Sequence, residues 1–461
     1  MLNRIVPAVL LLVIMSVVVH AQEEVPQLEE IVVTATKTER EVKDVPTNVT
    51  VITREDIEKY HARDVSELLG QVPGFSVSGF GGVHADMYVS SRGNQPSTRA
   101  AQILVDGIEY NDTSGYFNVL AIPIGDIERI EVVKNPASSL YGNFGTGGVV
   151  NLITRRPTKP FETKIGASYG SFETHQYSAV LNGTRKNWEY YAEGRFYKTD
   201  GWQDNSWEEN KLLHAKLKYH PDETSTVGLH VNYAPISNGY PGTLTEAQFR
   251  EDPRQTTQPF GDSDSYNFLG AVFFDKAFGD SKVYAKAKYG LMDGWCIDPD
   301  YFDMESYNIV PELGYSLGHA LWGMSGMLLI GGEYRFFNNK KSKAYEVVNG
   351  MKGDLYQDRT WKDSTWAFFA QEELEVWKDL LISAGVRHDH VDTEFTDHLD
   401  VVDDFDEAHS AWSPKAGATY TANGSDPDFC MTSWERGRPA RKRRPRWPRS
   451  REKSRFHPSA V

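Results

Sequence analysis

The chain has 461 residues, enough for about three soluble domains or one large single-sheet unit. Hydrophobic residues make up 40%, aromatics 12% and charged residues 25%, which excludes both a disordered chain and a helical membrane bundle. A net charge of −15 excludes a general nucleic-acid binder, which needs a basic footprint, and two Cys cannot by themselves build a disulfide framework or a structural zinc site. The charge is uneven: the last 31 residues hold nine Arg and two Lys against two Glu, so the tail carries +9 and the other 430 residues −24.

The N-terminus reads as an export signal over residues 1–21. Arg4 gives a positive start, Ile5 to Val19 is apolar, and Val19-His20-Ala21 places small residues where a signal peptidase cuts. At about 15 residues the run is short of the ~20 that a spanning helix needs. No later segment reaches 18 apolar residues, so a membrane role requires a β-barrel. Residues 22–40 follow, containing the β-branched run Glu30-Ile31-Val32-Val33-Thr34. Such a strand near a free end suits pairing with another protein's sheet edge; it could equally be the domain's own first strand.

Residues 41–157 read as a small α+β domain. Thr53 with Asp56, and Asp64 with Glu67, each set an N-cap three residues before a carboxylate, and the second helix should stop at Gly70. Strands are expected at Met87–Ser90, Ile103–Asp106, Ile130–Val133 and Val149–Thr154, separated by polar or glycine-rich loops at 78–84, 94–99 and 111–117. The glycine-rich stretch 141–148 lacks the Lys-Ser/Thr of a phosphate loop and precedes a strand, so its glycines are read as turn and close-approach positions.

From residue 158 to 425 apolar residues occupy every second position, as in Leu213, Ala215, Leu217 and Tyr219 or Val283, Ala285, Ala287 and Tyr289. Period two with one wet face is a half-buried strand. About a dozen such segments, near 10 residues each with aromatics at several ends, fit outer-membrane strands, although a soluble sandwich would alternate similarly. His388, Asp389, His390 and Asp392 are read as the hydrated end of a strand entering an acidic loop (389–407), not as a metal cluster. Cys296 is placed in a loop with no disulfide to Cys430. No catalytic set stands out.

The order of these parts resembles TonB-dependent outer-membrane receptors. The likeness rests on Glu30–Ala35, Val45–Ile52, Leu68–Gly74, Ser91-Arg92-Gly93, Leu104-Val105-Asp106-Gly107, Ile127–Val132 and Leu140–Gly142 through Gly147–Thr154, in order. It implies a membrane β-barrel of 22 antiparallel strands filled by an N-terminal α+β plug domain. It further implies import of an iron chelate of siderophore type, with cobalamin, haem or another metal complex as alternatives, energised when TonB pairs with Glu30, Ile31, Val32, Val33 and Thr34. The expected partners are therefore TonB with its inner-membrane complex, a chelate ligand and outer-membrane lipid, around a monomer without cofactor. By the same likeness, Phe80, His84, Arg99, Asp112, Tyr116 and Phe117 in the plug loops would face the ligand, although solvated loop residues would look alike. Arg92, Arg129 and Glu131 would form plug–barrel ion pairs, and Gly93, Gly107, Gly142, Gly147 and Gly148 would serve as turn glycines. An adhesin or a passive porin, the alternatives of another class, would need neither the plug nor the Glu30–Thr34 strand.

The sequence departs from this pattern at its end. Alternation is expected to stop near Ser425, and 426–461 reads as a basic tail without strands. Residues 158–425 hold about a dozen strands of the 22, so the barrel is expected to be incomplete, with the reading frame lost near 425 and the chain as written unable to function.

Overall fold

A computed structural model of the chain describes residues 31–32, 37, 40–41, 45, 47–62, 64–79, 86–91, 101–111, 117–118, 122–400, 404–420 and 430–435. Two short strands come first, β1 (Ile31–Val32) and β2 (Arg40–Glu41), paired antiparallel. An inner domain follows: β3 (Val49–Thr53), β4 (Phe75–Gly79), β5 (Asp86–Ser91), β6 (Gln102–Val105), β7 (Ile108–Glu109), β8 (Phe117–Asn118), β9 (Ile127–Val133) and β10 (Val149–Thr154). They form a mixed five-stranded sheet in the order β3-β9-β10-β6-β7 and a three-stranded sheet β4-β5-β8. The four strands expected from sequence are present: β10 as expected, β6 shifted by one residue, and β5 and β9 longer than expected.

Local chemistry fixes the helices. Thr53 and Asp56 close a reciprocal capping box on the helix Arg54–Tyr60. Asp64 caps Val65–Leu69 by accepting from the backbone of Ser66 and Glu67, and that helix ends at Gly70. Both bury their apolar face, Ile57, Val65, Leu68 and Leu69, against Ile52, Ile103, Val105, Ile130, Val150 and Leu152. Each such side chain contributes roughly 1.5–3 kcal/mol.

The remaining strands form one antiparallel sheet in simple sequence order. They are β11 (Glu162–Gly170), β12 (Thr174–Arg185), β13 (Trp188–Thr199), β14 (Glu208–Asp222), β15 (Ser225–Gly239), β16 (Asp262–Phe278), β17 (Ser281–Ile297), β18 (Tyr301–Leu321), β19 (Met324–Val348), β20 (Met351–Trp377), β21 (Leu380–Asp397), β22 (Phe405–Tyr420) and β23 (Cys430–Glu435). Side chains alternate with inverted polarity. On β14, Leu213 is 55% exposed and Leu217 39%, while His214 and Lys216 between them are buried. Val272 on β16 and Phe368 on β20 likewise face outward beside buried Ala271 and Phe369. Apolar outside and polar inside is the arrangement of a lipid-facing wall.

Five hairpins, at 186–187, 223–224, 279–280, 322–323 and 378–379, close in two residues at one end of the wall; at the other end the longest connection between described strands is residues 240–261. Trp322 and Gly323, both at positive φ, make a tight turn matched to strand twist. The inner face of the wall meets the small domain at strands from β14, where Lys216 pairs with Asp126, to β21, where Arg387 reaches the Leu140 carbonyl. Among the described residues β11 and β23 are not paired with each other, so the barrel is open.

Four sequence expectations need correction. The strands are not near 10 residues but run to 27 in β20. Only 9–11 are needed to cross a bilayer, and the extra length continues hairpin pairing beyond it. The expected loop 389–407 is mostly strand, since β21 reaches Asp397, and Cys296 lies within β17, not a loop. The segment after 425 contains β23, which pairs with β22 across a register shift because an edge strand's open N–H and C=O groups accept a further strand. The side chain of Cys430 lies outside the described residues.

Candidate functional site: the seam between inner domain and wall

The seam is built around a hairpin tip. Asp106 and Gly107 turn β6 into β7 with φ of +48° and +76°, the two-residue Asp-Gly turn that suits a twisted hairpin. Thr154 donates to Asp106 from its backbone N (2.9 Å) and its hydroxyl (2.6 Å), and Lys218 of β14 approaches to 3.6 Å. Burial would raise this carboxyl, but Lys218, Lys216 and the Thr154 bonds outweigh it and hold Asp106 below the usual range. Lys286 of β17 donates to the carbonyl of Gly107 at 2.9 Å.

Three residues on, Glu109 receives the wall's strongest clamp. Arg335 of β19 donates in a fork, 2.9 Å to Oε1 and 2.7 Å to Oε2, and Lys288 of β17 lies at 3.4 Å. Lys288 also donates to the carbonyl of Asn111 at 2.9 Å. Burial opposes the charge on Glu109, yet Arg335 and Lys288 lower it to about 2. Asp126 pairs with Lys216, and burial pushes its carboxyl up to about 7 against that partner. Arg387 of β21, buried and paired with Glu333 (3.3 Å) and Asp389 (2.8 Å), donates to the Leu140 carbonyl at 3.4 Å. A cavity of about 30 Å³ opens within the seam, lined by polar groups including Gln102, Glu109, Lys286, Lys288, Glu312 and Glu333.

Lys37 anchors the segment that carries β1. It adopts φ +58° between β1 and β2 and buries its side chain in the seam. Its ammonium lies 2.8 Å from Glu312 of β18, 4.8 Å from the Tyr141 ring and 4.4 Å from the Phe369 ring. Lys286 (3.0 Å) and the Tyr284 hydroxyl (2.8 Å) complete the shell of Glu312. Burial draws the Lys37 ammonium down to about 8 although Glu312 supports its charge.

The residues singled out from sequence fall unevenly. Glu30, Val33, Thr34, Phe80, His84, Arg92, Gly93, Arg99, Asp112 and Tyr116 lie outside the described residues. Ile31 and Val32 form β1, paired with β2 of the same chain, and Phe117 opens β8 beside Met87. Arg129 and Glu131 pair with each other at 2.9 Å within the domain, as alternate residues of one strand share a face. Gly107, Gly142 and Gly148 have positive φ, and Gly147 ends the short helix Gly142–Gly147. The ring of His388 packs 4.5 Å from that of Trp412, while His390 bonds Ser410 (2.8 Å). Missed from sequence were Lys37, Asp106, Glu109 and Asp126 on the domain, and Lys216, Lys288, Glu312 and Arg335 on the wall. Their signal was charge on the inward positions of alternating strands.

Residues 41–149 match the family described as TonB-dependent Receptor Plug Domain, and residues 134–430 match TonB dependent receptor-like, beta-barrel. The chain is 38% identical over 135 residues to the "Vitamin B12 transporter BtuB" of Vibrio vulnificus (strain CMCP6), covering 29% of this chain and 22% of that protein. The same transporter of Vibrio cholerae serotype O1 is 34% identical over 160 residues, covering 34% and 26%. The chain thus matches about a quarter of the length of these relatives. Among solved structures, the unliganded ferric citrate transporter FecA superposes with a TM-score of 0.75 at 20% identity, covering 83% of this chain and 62% of that one. BauA, the ferric preacinetobactin receptor of Acinetobacter baumannii, gives 0.69 at 15% identity, covering 84% and 64%. At these identities the likeness shows the fold.

Proposed function

The chain belongs to the TonB-dependent receptor family, and from that premise we propose that it is a gated importer of a metal chelate at the outer membrane of a Gram-negative bacterium. The observation that carries this reading is the seam: a plug seated by buried charge pairs in a wall whose outer face is apolar. A passive pore has no use for such a closure. An adhesin has no use for a strand, β1, joined to the closure through Lys37.

In this reading the strand Glu30–Thr34 pairs with the edge of TonB, which pulls from the short-turn end. Tension on it meets Lys37 first, because Lys37 lies only three residues beyond Thr34 and is held to the wall by Glu312. Withdrawal of Lys37 removes one counter-ion from Glu312 and uncovers Tyr141 and Phe369, and the plug then loosens along the polar cavity. Ligand would be received by plug loops carrying Phe80, His84, Arg99, Asp112, Tyr116 and Phe117, where charge and aromatic surface combine. An iron chelate of siderophore type is the first reading of the cargo. Cobalamin is the second, favoured by the likeness of the matched segment to vitamin B12 transporters.

Replacing Val32 by Pro removes a backbone donor from the pairing strand. In an intact-length protein with a complete barrel, energised uptake of the chelate should fall to the background of a TonB-deficient strain, while surface binding persists. Undiminished uptake in Val32→Pro would remove the pairing role of this strand.

A further inference from the structure

At one place the seam is joined by a polar contact between side chains that carry no fixed charge. Tyr110, three residues beyond Gly107 on the plug, places its hydroxyl 3.3 Å from His230 Nε2 and 3.4 Å from His214 Nδ1. The two histidines sit side by side on β15 and β14, fully buried and facing inward, with their Nε2 atoms 3.3 Å apart. Asn232 Nδ2 lies 3.3 Å from His214 Nδ1.

One proton assignment satisfies three of the four contacts at a time, because the single Tyr110 proton goes to only one of its two neighbours. With its amide nitrogen toward the ring Asn232 donates, so His214 Nδ1 accepts and His214 carries its proton on Nε2. That N–H donates to His230 Nε2, which must then be bare. The Tyr110 hydroxyl donates to either acceptor. Both rings are therefore neutral, and each lends a lone pair to the circuit. A proton added to His230 sets two Nε2–H donors against each other; a proton added to His214 sets Nδ1–H against the Asn232 amide and removes one of the two acceptors open to Tyr110.

The surroundings cannot absorb the extra charge. Lys216 and Lys218 flank the rings on β14; Tyr191, Glu193 and Arg195 face them from β13; Asp106 and Asp126 face them from the plug. Three cations meet three carboxylates, so a further proton is a buried, uncompensated charge.

We propose that His214, His230 and Tyr110 form a proton-sensitive clasp that holds the plug to β14 and β15 when both imidazoles are neutral and releases it on acidification. The clasp is distinct from the pull on Lys37, which acts at β18, and it does not rest on the identity of the cargo.

Hydrogen exchange of the backbone amides of Ile108–Asn111, measured on the whole chain in detergent micelles and corrected for intrinsic pH dependence, reads the clasp. Between pH 7.5 and 5 exchange should rise about tenfold, as expected when a buried neutral histidine must charge. In the double variant His214→Asn/His230→Asn the rise should fall below about twofold. Asp126 titrates in the opposite sense, and the same comparison in an Asp126→Asn background removes its contribution. An equal rise with and without the histidines overturns the proposal. So does exchange that is flat with pH but rises on adding EDTA, which would make the triad a metal site.

Discussion

Glu109 shows how a single seam residue can be weighed. Its carboxylate sits between Arg335 and Lys288, and all three are nearly buried. Removing one partner from such a cluster strands the others, at about 3–5 kcal/mol. Glu109→Ala should therefore loosen the plug by that amount in urea unfolding followed by tryptophan fluorescence. The pH dependence follows from the lowered value of about 2 against an ordinary 4.5. A depressed carboxylate contributes stability that is present above 4.5 and is lost as pH falls from there through about 2. That loss, on the order of 3 kcal/mol at most, should be absent in Glu109→Gln. None of this was legible in the sequence as pairing. Glu109 and Arg335 are separated by 226 residues, and nothing local marks either as the other's partner. Arg129 and Glu131 were legible as charges that need company, but the alternation of a strand made them each other's partner.

Among the elements, the helices and the plug sheet were the most readable. Thr53 with Asp56 and Asp64 with Glu67 carry their own start signals, and the turn Asp106-Gly107 carries its own geometry. Strand lengths were not readable, because β19 and β20 keep pairing well past the bilayer through polar segments where apolar alternation no longer marks a strand. The short helix Ser138–Tyr141 ends on Gly142 at φ +67°, where an added Cβ would fall 2.9 Å from Arg387 Nη2. Gly142→Val should thus cost about 1–3 kcal/mol from backbone strain alone and displace Arg387 from the Leu140 carbonyl. Gly125, which has open space around it and no positive φ, supplies the control: Gly125→Ala should leave the unfolding midpoint nearly unchanged. Equal effects at the two positions would mean that the plug does not lean on the wall at Gly142.

At the scale of the molecule, the inverted polarity of the wall and the charged seam explain each other. A sheet with Leu213, Val272 and Phe368 outward has to place its charges inward, and the plug supplies the opposite charges that make this tolerable. The plug presents Asp106, Glu109 and Asp126 to lysines of the strands and to Arg335. Lys37 reverses the direction, reaching from the domain side to Glu312, and it does so at the segment that carries β1. Gating by a pull on that segment requires this contact to break in each transport event. The direct measurement is energised uptake by an intact-length protein with a complete barrel, carrying Lys37→Cys and Glu312→Cys, with Cys296 and Cys430 replaced by Ser, bridged by a cleavable thiol-reactive linker. Uptake should stop when the bridge is in place and return to the unbridged rate when the linker is cut, with surface binding of the chelate constant throughout. Uptake that continues at full rate with the bridge intact would contradict release of Lys37 as the gating step.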